Sequence, residues 1–258
     1  MKSDPRVAVI RLSGTIGVGG RMALNDAALG PVIDRAFGRG KPVAVALIIN
    51  SPGGSPVQSA LIGARIRRLA DEKNIPVHAF VEDVAASGGY WLAAAADYIW
   101  ADYGSILGSI GVISAGFGAH EFLAKQGIER RVYTAGGSKS MLDPFRPENP
   151  EDIDRLKGIL ADMHTGFIDW VKSRRGAKLA TDTDLFTGEI WLGQRAVDLG
   201  LIDGLAHFEP KMKQLFGAKT RFQYYGRKRS MLSRFGMSLT QDALAGLEER
   251  AAFARFGL

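Results

Sequence analysis

An α/β fold with a largely parallel sheet is the class the sequence predicts, and three observations carry it. Val7 to Leu12 is an apolar stretch of strand length broken only by Arg11, and Val43 to Ile49 is a continuous apolar run, the pattern of a strand buried on both faces of a sheet. Helix-period segments alternate with such runs, most clearly Pro56 to Lys73, where Val57, Leu61, Ile62, Ile66 and Leu69 recur at helical spacing. Turns rich in Gly and Pro stand where strands should end, as at Asn50 to Gly54.

Taken in order, Val7 to Leu12 is the first strand, and Gly14, Gly17, Gly19 and Gly20 loosen the loop after it. Met22 to Phe37 reads as the first helix, Val43 to Ile49 as the second strand and Pro56 to Lys73 as the second helix, with Arg65, Arg67 and Arg68 partly on its other side. Ile75 to Val81 is the third strand. A small-residue turn then leads into a helix, Ser87 to Ala96, followed by a short strand, Tyr98 to Ala101. Gly104 to Ser114 reads as a turn into a strand, Phe117 to Gln126 as a short helix, and Glu129 to Thr134 as a strand alternating at Arg131, Val132 and Tyr133. Pro150 to Arg175 is a long amphipathic helix; Glu151 and Asp152 in its first turn and Lys172, Arg174 and Arg175 in its last complement the helix dipole, and Gly176 stops it. Gly193 to Leu199, Phe208 to Phe216 and Thr240 to Phe253 complete the helices, the last capped by Ser238 or Thr240.

With 258 residues, 46% of them hydrophobic, the chain can bury a full core, and two regions are expected: residues 1–210 as the main domain and 211–258 as a basic, helical extension. No cysteine is present, which excludes disulfides, thiolate metal sites and a Cys nucleophile. No apolar run approaches the ~20 residues of a membrane span, so a cytoplasmic or peripheral inner-membrane location is expected. The net charge of +6 is unevenly spread: eight of the 33 Lys/Arg and no Asp or Glu fall in Lys211 to Arg234, leaving 25 basic against 27 acidic residues elsewhere. That segment is either a solvated face or, with Phe216, Phe222, Tyr224, Tyr225, Met231 and Leu232 interleaved, a peripheral contact with an anionic membrane through 211–234. No nucleic-acid partner, metal or cofactor is expected.

Chemistry concentrates in Asp83 to Ala96, DVAASGGYWLAAAA, where Ser87 stands at the start of an apolar helix. Ser87 reads either as a helix N-cap or as an activated nucleophile. SPGG at Ser51 to Gly54 and SGG at Ser87 to Gly89 would meet if their strands are neighbours, setting the N–H groups of Gly54 and Gly88 beside Ser87 as an oxyanion hole. The base is open at this point. His78 lies in a strand, His120 and His164 on helices, and His207 just before one; lysine can also serve where burial favours its neutral amine, and Lys139 stands among small and apolar neighbours in AGGSKSMLDP.

Five motifs in order, NSPGG (Asn50 to Gly54), AASGGYW (Ala85 to Trp91), GSIGVI (Gly108 to Ile113), GGSK (Gly136 to Lys139) and GEIWLGQRAVDLGLID (Gly188 to Asp203), resemble the signal peptide peptidase A family (SppA and SohB) over about residues 7 to 205. These are Ser-Lys serine peptidases on a ClpP/crotonase-type fold of repeated strand-strand-helix units. The resemblance implies that Ser87 is the nucleophile, Lys139 the general base, Gly54 and Gly88 the oxyanion donors, and Ser109 a hydrogen-bond partner of the lysine amine. It further implies a homo-oligomer with Ser and Lys from neighbouring subunits and extended, apolar peptide substrates such as released signal peptides. Ser138 precedes the lysine where relatives often have tyrosine, and the membrane anchor common in the family is not seen.

Three other readings compete. A crotonase-like acyl-CoA enzyme would use the glycine amides for a thioester enolate without needing a hydroxyl beside Gly88. A ClpP-like Ser-His-Asp peptidase would need His120. A non-catalytic scaffold would use only the basic segment.

Overall fold

The structure, a computed structural model, describes residues 4–17, 23–226 and 250–258. It has two compact units, Met1–Gly111 with Phe167–Leu258, and Val112–Gly166.

In the first unit the apolar runs form one sheet. Its strands are β1 (Arg6–Ser13), β2 (Ala44–Ser51), β3 (Val77–Ala86), β4 (Tyr98–Ala101), β5 (Ile106–Gly108), β6 (Ile190–Leu192), β7 (Gly204–Leu205) and β8 (Arg221–Tyr225). The order is β6-β5-β3-β2-β1-β8, with β4 also on β3 and β7 on β4. Every pairing among these strands is parallel except β5 with β6. The α/β class with a largely parallel sheet is therefore the one observed.

Helices intervene as parallel connections require: α1 (Asp26–Gly38), α2 (Pro56–Lys73), α3 (Gly88–Ala94), α4 (His120–Lys125), α5 (Pro150–Arg175), α6 (Gly193–Asp198) and α7 (Phe208–Phe216). Ala8, Ile10, Leu12, Val45, Leu47, Ile49, Ala79 and Val81 point to the main core, with Leu29, Ile33, Ile62, Ile66 and Leu92 of α1, α2 and α3. The alternate residues Val7, Val9, Ala44, Ala46, Ile48 and Phe80 face Met212, Phe208 and Phe216 of α7. Both faces being covered is why these strands read as largely apolar runs rather than as alternating ones.

Local chemistry fixes the helix ends. Pro56 opens α2 behind Ser55, whose Oγ accepts from the Gln58 N–H (3.4 Å), and Asn74 ends it in the left-handed region at φ 52°. The first helix begins at Asp26, not Met22, because Asn25 caps it through Oδ1 and the Ala28 N–H (2.9 Å), while Leu24 bridges to Ile16.

Several expected elements differ. The third strand runs to Ala86, absorbing the expected turn at Asp83: its first half pairs β4 and its second half β5. Ser105 spans the fork, its hydroxyl donating to Glu82 O (2.6 Å). Glu129 to Thr134 is not a strand, since its alternating residues find no neighbouring strand among the described residues, and the helix expected from Phe117 is only α4.

The boundary expected at 210/211 passes through α7, and β8 beyond it pairs along β1 in register from Arg6↔Arg221 to Ile10↔Tyr225. Phe222 packs on the α7-facing core and Tyr225 is buried, so these two aromatics are not available to a membrane surface; Tyr224 is exposed. The expected cap at Ser238 or Thr240, most of the last helix and residues 227–234 lie outside the described residues. Among the described residues no helix is long and apolar enough to cross a membrane.

On the α7-facing side, His78 is 4% exposed, stacks on Tyr98 (4.9 Å between ring centroids) and accepts the Trp100 Nε1–H at Nδ1 (3.3 Å). Burial pushes its pKa down to about 4; Lys211 also disfavours the charged ring, while Asp97 and Asp203 favour it. The folded state thus holds a neutral imidazole that the unfolded chain protonates near pH 6.5. The contribution is fully present above pH 6.5 and drains away as pH falls to about 4, roughly 3 kcal/mol at most. Thermal melts across pH 4 to 7 should show this slope, and His78→Phe, which keeps the ring stack, should flatten it.

Candidate active site

Ser87 sits between β3 and α3, and the fold brings both glycine-rich turns to it. Its backbone is at φ 52°, ψ −122°, a sparsely populated region for a residue with a side chain. The turn is held from two sides: the Ser87 N–H donates to Gly108 O (2.8 Å), and Ser87 O accepts the Trp91 N–H (3.0 Å). Although Ser87 occupies the N-cap position of α3, its hydroxyl makes no capping hydrogen bond. The N-cap reading therefore loses its physical basis, and the half-buried hydroxyl is left available.

β2 and β3 are neighbours, so SPGG and SGG meet. A Cβ on Gly53 would lie 2.8 Å from both Ala86 O and Ser87 Cβ, and one on Gly88 would lie 3.4 Å from Gly54 N. Gly54, at φ 142°, is braced by a bridge to Ile16: Ile16 N–H donates to Gly53 O (2.8 Å) and Ser55 N–H to Ile16 O (2.8 Å). Among the described residues, neither the Gly54 nor the Gly88 N–H has a backbone carbonyl partner, which leaves two adjacent donors beside a free hydroxyl. Such a set can hold a carbonyl oxygen that becomes negative.

Ser109 follows directly on the Gly108 carbonyl that holds Ser87. It too has positive φ (51°), fixed by its N–H to Glu189 O (2.7 Å), and it is half-buried. Lys139 belongs to the second unit. Its loop turns at Gly136 (φ 101°), whose carbonyl accepts the Lys139 N–H (3.1 Å), and the side chain is exposed. His120 opens α4 and His164 lies in α5, both within 112–166; His78 is engaged by Trp100, and His207 pairs with Asp102 (2.7 Å) on the surface.

Behind Ser87, the Tyr90 hydroxyl, fully buried, donates to Leu201 O (2.7 Å), and burial pushes this phenol well above its ordinary range. Burial alone would raise the Asp203 carboxyl, yet hydrogen bonds from Arg175, Lys178 and the Ile99 N–H together hold it low. Sequence reasoning missed Gly53 as the residue packed against Ser87. It also missed the side chains that bind α3 from behind, for which the i,i+4 spacing of Trp170 and Arg174 on one amphipathic face was the available signal.

The chain is 46% identical over 274 residues to the Na(+)/H(+) antiporter NhaA of Brucella abortus, which covers 99% of this chain and 37% of that protein. It is 32% identical over 207 residues to the chloroplastic serine protease SPPA of Arabidopsis thaliana, 78% of this chain and 30% of that protein. The chain thus spans about a third of the length of these curated relatives. Its fold matches the 1510-N membrane-bound stomatin-specific protease, solved as a serine-to-alanine mutant, with a TM-score of 0.52 at 16% identity over 88% of this chain and 100% of that one. The profile described as peptidase family S49 matches residues 70–219, more than half of the sequence, and the chain belongs to that family, the group of the SppA and SohB proteases.

Proposed function

We propose that the chain is a serine endopeptidase that cleaves unfolded or hydrophobic peptides, such as released signal peptides, through an acyl-enzyme. Ser87 is the nucleophile, Lys139 its base, Gly54 and Gly88 the oxyanion donors, and Ser109 the residue that orients the lysine. The observation that carries the reading is the uncapped Ser87 hydroxyl on a strained turn next to two unused amides.

In this scheme the Lys139 amine takes the Ser87 proton as Oγ bonds to the scissile carbonyl carbon. The resulting oxyanion accepts from the N–H groups of Gly54 and Gly88. The C–N bond then breaks as the ammonium returns its proton to the leaving nitrogen. Water, deprotonated by the same amine, attacks the ester carbon; the bond from that carbon to Ser87 Oγ then breaks as the ammonium returns the proton to Oγ, which frees the acid and restores Ser87.

The lysine reaches Ser87 in a homo-oligomer, from a neighbouring subunit. Supporting this are the exposed apolar side chains of residues 112–166, with Phe117 95% and Tyr133 90% exposed and Phe122 and Ile128 also open.

Intact-mass measurement after a serine-reactive phosphonate tests nucleophile and base together. Wild-type protein should gain one adduct per chain, on Ser87; Ser87→Ala should gain none, and Lys139→Ala should label far more slowly. An adduct that persists in Ser87→Ala would overturn the assignment.

A further inference from the structure

The carbonyl end of α3 is held by side chains from two other helices. Trp170 Nε1–H donates to Trp91 O (3.0 Å), Arg174 donates to Ala94 O (Nε, 3.1 Å) and Ala96 O (Nη2, 3.2 Å), and Arg67 donates to Ala95 O (Nη1, 3.1 Å). Both guanidiniums then share Asp97 Oδ1 (2.9 and 3.3 Å), while Asp97 Oδ2 accepts the Val77 N–H (2.8 Å) at the start of β3. The Trp170 ring stacks at 5.8 Å on Trp91, which also lies 4.9 Å from Phe167.

This is more than a seven-residue helix needs merely to end. Exposed carbonyls at a helix terminus can be satisfied by water, yet here two cations are brought together over four consecutive positions. Burial pulls the Arg174 guanidinium below its usual value, and the nearby Arg67 adds to this. Arg67 Nε has no partner at all among the described residues. So short a helix has little stability of its own, and the strained turn at its other end persists only if its surroundings fix it.

The geometry points to Arg174, together with Trp170 and Arg67, as positioning residues that clamp the far end of α3 and thereby hold Ser87 in its reactive conformation. None of the three touches a substrate; each acts through the helix. The inference rests on the reading of Ser87 as the nucleophile. It also accounts for the end of α5, which places Trp170 and Arg174 on one face.

The test is the second-order rate of phosphonate labelling of the full chain, read beside thermal stability and the kcat and KM of peptide cleavage. Trp170→Phe keeps the ring and removes one N–H; Arg174→Gln keeps a donor and removes the fork and the charge. Each should slow labelling by on the order of tenfold, the equivalent of one lost hydrogen bond to the barrier. The loss should fall on kcat with KM little changed, in protein that remains folded. Arg68→Gln, which removes an equally charged side chain from an exposed pair with Glu72, should label at the wild-type rate. Wild-type labelling rates in both test variants, or losses that only track the unfolded fraction, would overturn the positioning role. Absence of any label on wild-type Ser87 would instead strike the nucleophile assignment beneath it.

Discussion

Ser87→Ala and Lys139→Ala should each lower kcat by on the order of 10³-fold or more, and the double variant should be scarcely worse than either one. A nucleophile and the base that deprotonates it act as a unit, so once one is gone the other has nothing left to do. Lys139→Arg should fail as well, because a guanidinium stays protonated. If neighbouring subunits share the two groups, mixing the inactive Ser87→Ala and Lys139→Ala proteins under subunit exchange should restore activity in the sites that receive one intact copy of each. Steady-state peptidase assays on the variants and on the mixture check all of this. Additive losses, or an active Lys139→Arg, would remove the lysine from the mechanism.

Gly53→Ala should be nearly as damaging, by another route. At φ 101° any side chain is strained, and the new methyl would come within 2.8 Å of Ala86 O and Ser87 Cβ and 2.9 Å of Gly88 N. Two of those three are main-chain atoms, and they can recede only by dragging the Ser87 turn with them. A stability loss of about 3 kcal/mol or more is expected, with kcat/KM falling by on the order of 10²-fold as Ser87 leaves the amides that surround it. Denaturant melts and phosphonate labelling should both register the change. Gly38→Ala, which meets no atom within 4 Å, should leave both within experimental scatter.

The elements that were legible in the sequence are those with local signals. β1 and β2 announce themselves because cover on both faces of the sheet makes most of their residues apolar, and α2 because Ser55, Pro56 and Asn74 fix both its ends. The approach of SPGG to SGG could be read from the glycines once the two strands were taken as neighbours. What stayed hidden depends on distant partners. β3 runs past its apolar stretch and beyond Asp83 because β5, twenty-odd residues later, pairs with Val84 to Ala86. β8 was concealed by its basic setting: Arg221, Gln223 and Tyr224 look like solvated surface until β1 is set beside them. Conversely, Glu129 to Thr134 has the alternation of a strand but no neighbouring strand among the described residues. The small and apolar neighbours of Lys139 made it a candidate base, but only the family resemblance chose it over the histidines, since the residue itself is exposed like many other lysines.

The pairing of β8 with β1 also bears on how the chain reaches its native state. β1 is synthesised long before β8, and Val7, Val9 and Ile10 in it are fully buried in the finished protein. Among the described residues, its outer edge is paired by Arg221–Tyr225, more than two hundred positions later. Until synthesis reaches that point the nascent sheet has an apolar, unpaired margin, the kind of margin that recruits strands from other chains. Closing so distant a contact is also slow. The late segment acts as a seal: a chain interrupted before residue 221 would retain the Ser87 turn and still present an open edge to its neighbours.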